Sequence, residues 1–265
     1  MGGRIRFTAY RAGTKEMTRQ SGWIKNLVVS GTNTGRNLIC QRLGGTNTYT
    51  LNITHGDIGR GYAAPGAPSV ATGAAGVLTG AYKYRVTFVT AIGETEGGTV
   101  SSTVNPSSQQ VSVTAMPTGP SGVTSRKLYR TLAGGSTYKL LATIADNSTT
   151  TYADNIADGA LGATAPTDTS AGALAAQDTD TQLQNASVRG ALTAVTIANN
   201  QITLQFFFSD AALANGTYSE FGSFVDGSGS VNTGQLFNRA VFGTLYTKAT
   251  GEDTTVEVVL TITAI

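Results

Sequence analysis

The sequence predicts an all-β protein in which one domain interrupts another, and three observations carry that expectation. The composition favours strands and turns: only 13% of residues are charged, 33 are glycine, and Thr, Ser, Asn and Ala fill much of the rest. β-Branched residues suit a half-buried pleated surface and Gly and Asn suit turns, whereas the Glu, Lys and Leu of long helices are scarce. Several segments alternate apolar and polar residues with a period of two. Two passages rich in alanine and glycine bracket a block with strands of its own. That is how an inserted domain reads, because insertions are tolerated at loop tips and domain termini tend to lie close together.

Residues 1–20 are expected to form an extended basic arm. Residues 1–25 hold Arg4, Arg6, Arg11, Lys15, Arg19 and Lys25 against Glu16, a balance of +5, so under a net charge of +2 the other 240 residues sum to −3. Such an arm suits a neighbouring protein subunit or a solvated tail. Nucleic acid is not expected as a partner, since six cations over 25 residues are sparse and no aromatic stacking platform accompanies them. "MGGRIRFTAY" lacks the apolar stretch of a secretory signal, and no run approaches the roughly 18 apolar residues of a membrane span. The lone Cys40 precludes an internal disulfide. A cytoplasmic folding environment and no membrane contact are therefore expected.

Residues 21–65 and 167–265 are assigned to a discontinuous parent domain, and 66–166 to the insert. In the first parental stretch "NLICQRL" is too short for periodicity to choose between helix and strand. "TYTLNIT" alternates and predicts a strand with Tyr49, Leu51 and Ile53 on one face. The alanine-glycine passage from Tyr62 to about Gly80 is read as the departure from the parent. "AYKYRVTFVT" then sets Tyr82, Tyr84, Val86 and Phe88 against Lys83, Arg85 and Thr87. With "QQVSVTAM" and "SRKLYRTLAGGSTYKLLATIADNSTTTYADN", and a hairpin turn at Gly134–Gly135, some ninety residues read as a small antiparallel sandwich. After a second Ala/Gly/Thr passage, "QITLQFFFS" sets Ile202, Leu204, Phe206 and Phe208 on one face. "TTVEVVLTITAI" does the same with Val256, Val258, Leu260 and Ile262, and its strand is expected to reach the final residue.

Motifs that carry chemistry fail on inspection. "GDIGRGYAAPG" has glycines in the style of a phosphate loop, but Gly61 is followed by Tyr-Ala-Ala-Pro where Lys and Ser or Thr are needed. No helix follows to make a dinucleotide site. His55, the sole histidine, is read as structural, since neighbouring Asp57 alone supplies neither nucleophile nor dyad. One histidine and one cysteine leave the usual zinc site short of ligands. "DGSGSVNTGQLF" opens like a calcium loop at Asp226, Ser228 and Ser230, but Phe237 stands where a bidentate glutamate belongs. Asp146, Asp154 and Asp158 lie in turn-forming sequence, with calcium the lesser reading. No catalytic, cofactor-binding or metal-binding residue is assigned, no cofactor is expected, and nothing in the chain asks for an enzyme.

One resemblance covers much of residues 20–265. "THGDIGRGYAAP", taken across the insert to "APTDTSAGALAAQDTDTQLQNASVRG" and on to "FFFSDAALANGTYSEFGSF", "NTGQLFNRAVF" and "TKATGEDTTVEVVLTIT", resembles a class of virion proteins of tailed bacteriophages. The matching positions are Gly59, Gly61, Ala64 and Pro65, then Asp180, Thr181, Leu183 and Arg189. They continue with Asn215–Gly222, Leu236–Ala240 and Lys248. The sequence departs from the pattern where Gln184 and Asn185 replace an acidic residue, and where the whole insert splits the first motif from the second. The insert, through "GETE", "RKLYRT" and "TTTYAD", looks like the immunoglobulin- or fibronectin-type modules of phage structural proteins.

The resemblance implies an all-β virion building block: a β-sandwich or jelly-roll-like parent domain with an inserted Ig-like β-sandwich and the N-terminal arm. The expected role is a non-enzymatic homo-oligomer, a trimer being the form considered, on the particle surface as head decoration or head fibre. Its partners would be capsid or tail subunits, with the inserted module projecting outward. The alternative is a tail fibre, collar or baseplate component, or an adhesin that binds glycans weakly through exposed Tyr129, Tyr138 or Tyr152.

Overall fold

The computed structural model describes residues 1–91 and 93–262. The chain divides into two compact units, Met1–Gly61 with Gly172–Ile265, and Tyr62–Ala171. The expected division at 66 and 166 thus moves outward by a few residues on each side.

The first part of the parental unit contains β1 (Gly2–Arg11), β2 (Met17–Gln20), β3 (Ile24–Val28), α1 (Gly35–Leu43) and β4 (Ile53–Gly59). Six strands of the inserted unit follow: β5 (Ser69–Thr79), β6 (Tyr84–Thr90), β7 (Ser107–Thr114), β8 (Val123–Thr131), β9 (Tyr138–Ile144) and β10 (Tyr152–Asp154). The parent resumes with β11 (Ala186–Ala198), β12 (Gln201–Phe208), β13 (Gly216–Val225), β14 (Gln235–Lys248) and β15 (Glu252–Thr261).

The parental strands are antiparallel neighbours in the order β15-β12-β11-β4-β13-β14-β3-β1, and β1 returns to β15, so eight strands close a barrel. β2 adds to the outer end of β1. The closing ladder is long, running from Gly2 opposite Thr261 to Arg11 opposite Glu252. This ladder pairs β1 with β15 along its whole length, covering two edges that an open sheet must otherwise protect. The parent is therefore a barrel, not the sandwich or jelly-roll-like sheet pair expected.

The expected basic arm is corrected as well. Ile5, Phe7 and Ala9 are buried while Arg4 and Arg6 face outward, so the segment is a barrel strand whose polar face holds the cations. Phe7 packs edge-on against Phe242 and stacks on Tyr246 at 4.7 Å. Beneath its net positive charge the segment keeps a plain period of two from Arg4 to Phe7.

Inside the barrel, Ile58, Leu204, Phe206, Phe221, Val256 and Val258 belong to one large core, joined by Leu38 of α1. "NLICQRL" is thus helical, with Arg42 in the last turn where it favours the C-terminal dipole. "TYTLNIT" is corrected: Leu51 has a positive φ of 61° and the strand starts only at Ile53, running through the glycine motif to Gly59. Thr263 and the final residues of the last predicted strand lie outside the described residues.

In the inserted unit β10-β7-β5 and β6-β8-β9 form two three-stranded antiparallel sheets. Tyr84, Val86, Val111, Val113 and Leu128 share one core. β5 is built from "SVATGAAGVLT", within the alanine-glycine passage expected to be connection. Its alternation is interrupted by three register shifts against β7. Small residues allow this: a Cβ on Gly76 would lie 2.7 Å from the backbone N of Gln110.

Candidate functional site

The motif residues of the parental unit converge on one place on the outer face of the barrel wall. β11, β4, β13 and β14 are successive neighbours, and their register sets Arg189 opposite Asp57, Asp57 opposite Gly222, and Gly222 opposite Arg239. Ile58 and Phe221, one residue away, belong to the interior core, so this row faces outward. It is nevertheless buried, because residues 172–185 and the 226–234 loop cover it.

Two ion pairs occupy the row. Arg189 donates to both carboxylate oxygens of Asp57 at 2.6 and 3.0 Å, and also to the Ser228 and Thr233 carbonyls. Asp57 accepts a further bond from the backbone N–H of Asn232 at 2.6 Å. Arg239 donates twice to Glu220 Oε2, at 3.0 and 2.7 Å, and once to Asp180 at 2.7 Å. Glu220 also accepts the backbone N–H groups of Gln184 and Asn185. Burial alone would lower the Arg239 pKa, but the carboxylates of Glu220 and Asp180 overcome it and hold the group above its ordinary value.

The glycines make room for this arrangement. A Cβ on Gly59 would lie 2.8 Å from the Glu220 side chain, and one on Gly222 would lie 2.6 Å from Leu183 Cδ1. Gly61 adopts φ +78°, and a side chain there would lie 2.5 Å from the Gly172 carbonyl. Leu183 itself fills a small apolar cluster with Val29, Phe224 and Leu236 on this outer face. Lys248 is buried and bonds Asp210 and Asn215, and its bond to Asp210 lowers that carboxyl's pKa. Asp180, Leu183, Arg189, Glu220 and Arg239 therefore staple the covering segments onto the wall, while Lys248 holds the connection between β12 and β13. Where the pattern expects an acid, Gln184 and Asn185 donate backbone N–H groups to Glu220, whose carboxylate comes from β13. Ala64 and Pro65 fall in the other unit.

The residues weighed for chemistry take other roles. His55 sits on β4 with Nδ1 2.9 Å from Thr54 Oγ1, and burial followed by the charge of Arg189 lowers its pKa. Cys40 is exposed on α1. Asp226 binds the backbone and hydroxyl of Thr50. Arg126 and Arg130 of β8, in the phrase "RKLYRT", are wholly buried beside Leu128. Arg130 pairs with Asp154 at 2.6 Å and Asp158 at 2.8 Å, and the Tyr84 hydroxyl also donates to Asp154. Arg126 pairs with Asp146, whose carboxyl is held well below its usual range by bonds from Thr149 and Ser148. No group of three or more metal-ligating side chains occurs among the described residues. Tyr129 is buried, and its hydroxyl donates to Glu94 at 2.7 Å. The Arg85 guanidinium lies 4.2 Å from the Tyr138 ring centre, and Tyr152 is half-buried against the core.

One surface of the parental unit is left apolar. β11 pairs with β4 only as far as Ala191, and beyond that point the β11–β12 hairpin runs on beside β15 as a lip. Its turn is the two-residue Asn199–Asn200, with Asn199 at φ 51°, and Asn200 bonds Ile262. Val195 (52% exposed), Ile197 (71%) and Ile262 (57%) stand on this lip. With Ile39, Leu51 and Ile53 opposite, they line a groove of about 700 Å³. Sequence reasoning missed it because these residues alternate as core residues do; only the length of β11 past its partner exposes them.

The fold and these features define an all-β protein: an eight-stranded antiparallel barrel into which a second β-unit is spliced. Comparison of the chain with protein-family models, with curated proteins and with solved structures finds no match.

Proposed function

We propose that the chain is a non-enzymatic structural protein of a tailed-phage virion, self-associating on the particle surface as head decoration or head fibre. The inserted unit is read as an Ig- or fibronectin-type sandwich that projects outward. The observation that carries the proposal is the apolar lip and groove of the barrel: exposed contiguous apolar surface of this kind marks contact with another protein. The buried charges support it from the other side. Asp57, Glu220, Asp154 and their arginines are held in ion pairs that fix loops, an arrangement that serves rigidity. The motif phrases that resemble virion proteins are the segments making those staples.

The test is electron microscopy of the particle beside the mass of the purified protein in solution. Many copies at regular capsid sites, and a homo-oligomer that Ile197→Asp dissociates, are the expected results. A charge on the lip is expected to weaken self-association at least about tenfold, or roughly 1.4 kcal/mol. Absence from particles, with a monomer unaffected by Ile197→Asp, overturns the proposal. A few copies at the tail would replace the head by a tail fibre, collar or baseplate location.

A further inference from the structure

The barrel has one weak seam. β14 and β3 share only two register pairs, Asn238 with Val28 and Arg239 with Leu27. Every other neighbouring pair around the barrel is joined over a longer ladder, the next shortest being the three pairs of β3 with β1, where β2 continues the same edge. From Ala240 onward, no described strand pairs with β14 on the side away from β13. Its register there is irregular as well: between the pairs Glu220–Val241 and Tyr218–Tyr246, four residues of β14 stand against Ser219 alone on β13. Across the gap, β2 pairs with β1 alone among the described strands, and none of them covers its outer edge.

The opening is a cleft of about 480 Å³ lined by Arg19–Ile24 on one side and Thr244–Thr247 on the other. Its floor is aromatic, the stacked rings of Phe7 and Tyr246, with the Arg19 guanidinium 5.0 Å from the Tyr246 ring centre. A Cβ on Gly22 or on Gly243 would meet no atom within 4 Å. Two backbone edges thus face each other across open space above an apolar floor. The six-residue edge Arg19–Ile24 spans roughly 20 Å of extended chain.

Charge beside the seam selects the occupant. Arg6 and Arg19 pair with Glu257 and Glu252. Arg4 and Lys25 have no carboxylate partner among the described residues, and the register places them directly opposite each other on β1 and β3. Like charges in that position repel, so the barrel alone keeps an unfavourable pair there. Arg4 and Arg6 also lie 4.3 and 4.6 Å from the ring centre of Trp23, which is 40% exposed at the rim of the cleft. A segment bringing carboxylates to this rim would relieve the repulsion.

We propose that the seam is a strand-acceptor slot for an extended, acidic segment of a partner protein. The guest adds its backbone to the free edges of β2 and β14, antiparallel to one and parallel to the other. Small apolar side chains point to the Phe7–Tyr246 floor, and alternate acidic ones meet Arg4 and Lys25. This is strand addition, in which main-chain bonds supply affinity and side chains supply selectivity. The proposal does not depend on a virion role for the chain.

Trp23 is the sole tryptophan, so its fluorescence reports on the rim directly. The experiment titrates the full chain with a capped octapeptide alternating Glu and Val, with a Lys-Val octapeptide and a single-stranded oligonucleotide as competitors. Amide exchange of Met17–Ile24 and Gly243–Thr247 is followed by mass spectrometry. The expected result is a Trp23 response to the Glu-Val peptide, fast exchange of both edges in the free protein and protection on binding. Arg4→Glu with Lys25→Glu, checked for folding by circular dichroism, should weaken the Glu-Val peptide about tenfold or more and favour the Lys-Val peptide. Thr244→Pro, outside the β13 register, should weaken both. Edges already protected in the free protein, indifference to charge reversal, or oligonucleotide binding without edge protection would each overturn the proposal.

Discussion

Glu220 is held by four hydrogen bonds, two from the Arg239 guanidinium and two from the backbone of residues 184 and 185. With the carboxylate fully buried, removing its cation leaves a charge in a place water cannot reach. Arg239→Met is therefore expected to cost about 3–5 kcal/mol, measured by urea denaturation. His55 makes a weaker prediction, in pH. Its folded pKa is lowered by burial and by Arg189, so the imidazole resists protonation in the folded state. The stability it contributes is fully present above the unfolded value of about 6.5 and is lost as pH falls through the folded pKa. His55→Gln should accordingly show a shallower fall in melting temperature between pH 7 and pH 5 than the parent chain. Equal slopes would mean that the histidine is not protected as its surroundings imply.

At the scale of elements, β1 decides whether the N-terminus is an arm or part of the wall. Phe7 is 1% exposed and touches Phe242 and Tyr246 of β14, both on the far side of the seam. Phe7→Ala should cost about 3–5 kcal/mol in chemical denaturation, the range of a buried aromatic deletion. A change near zero would restore the arm. Elements with clean alternation, such as β6 with Tyr84, Val86 and Phe88, or β12 with Leu204, Phe206 and Phe208, were legible in the sequence, since one face is core and the other is not. β13 was legible as an apolar strand but not in its facing: Tyr218–Val225 is buried on both faces, with Phe221 in the barrel and Phe224 under residues 172–185. Arg126 and Arg130 lie on the same buried face as Leu128, a placement that a charged residue does not announce in the sequence.

At the scale of the molecule, the two units carry separate cores, Ile58 and Phe221 among others in one and Val86 and Leu128 in the other. The parental chain leaves at Gly61 and returns at Gly172, whose backbones lie close enough that a Cβ on Gly61 would lie 2.5 Å from the Gly172 carbonyl. Excising Tyr62–Ala171 and joining Gly61 to Gly172 through a short Gly-Ser linker should leave a barrel that unfolds cooperatively. The excised unit should do the same by itself, as domains with their own cores do. Scanning calorimetry checks both; a barrel without a transition would show that the insert is part of its folding unit.

The sequence by itself determined the β class, the presence of an insertion and the strands whose two faces differ in solvent. Those properties follow from local alternation and from where small residues break it. Barrel closure, the strand at the N-terminus, the ion pairs beneath residues 172–185, the apolar lip and the open seam were decided by tertiary structure alone. Each depends on which strand lies beside which: β1 on β15, Arg189 against Asp57, β14 parting from β3. Pairing between residues as distant as Gly2 and Thr261 leaves no periodic trace in either segment. A charge that looks solvated along the chain can be buried once another segment crosses over it.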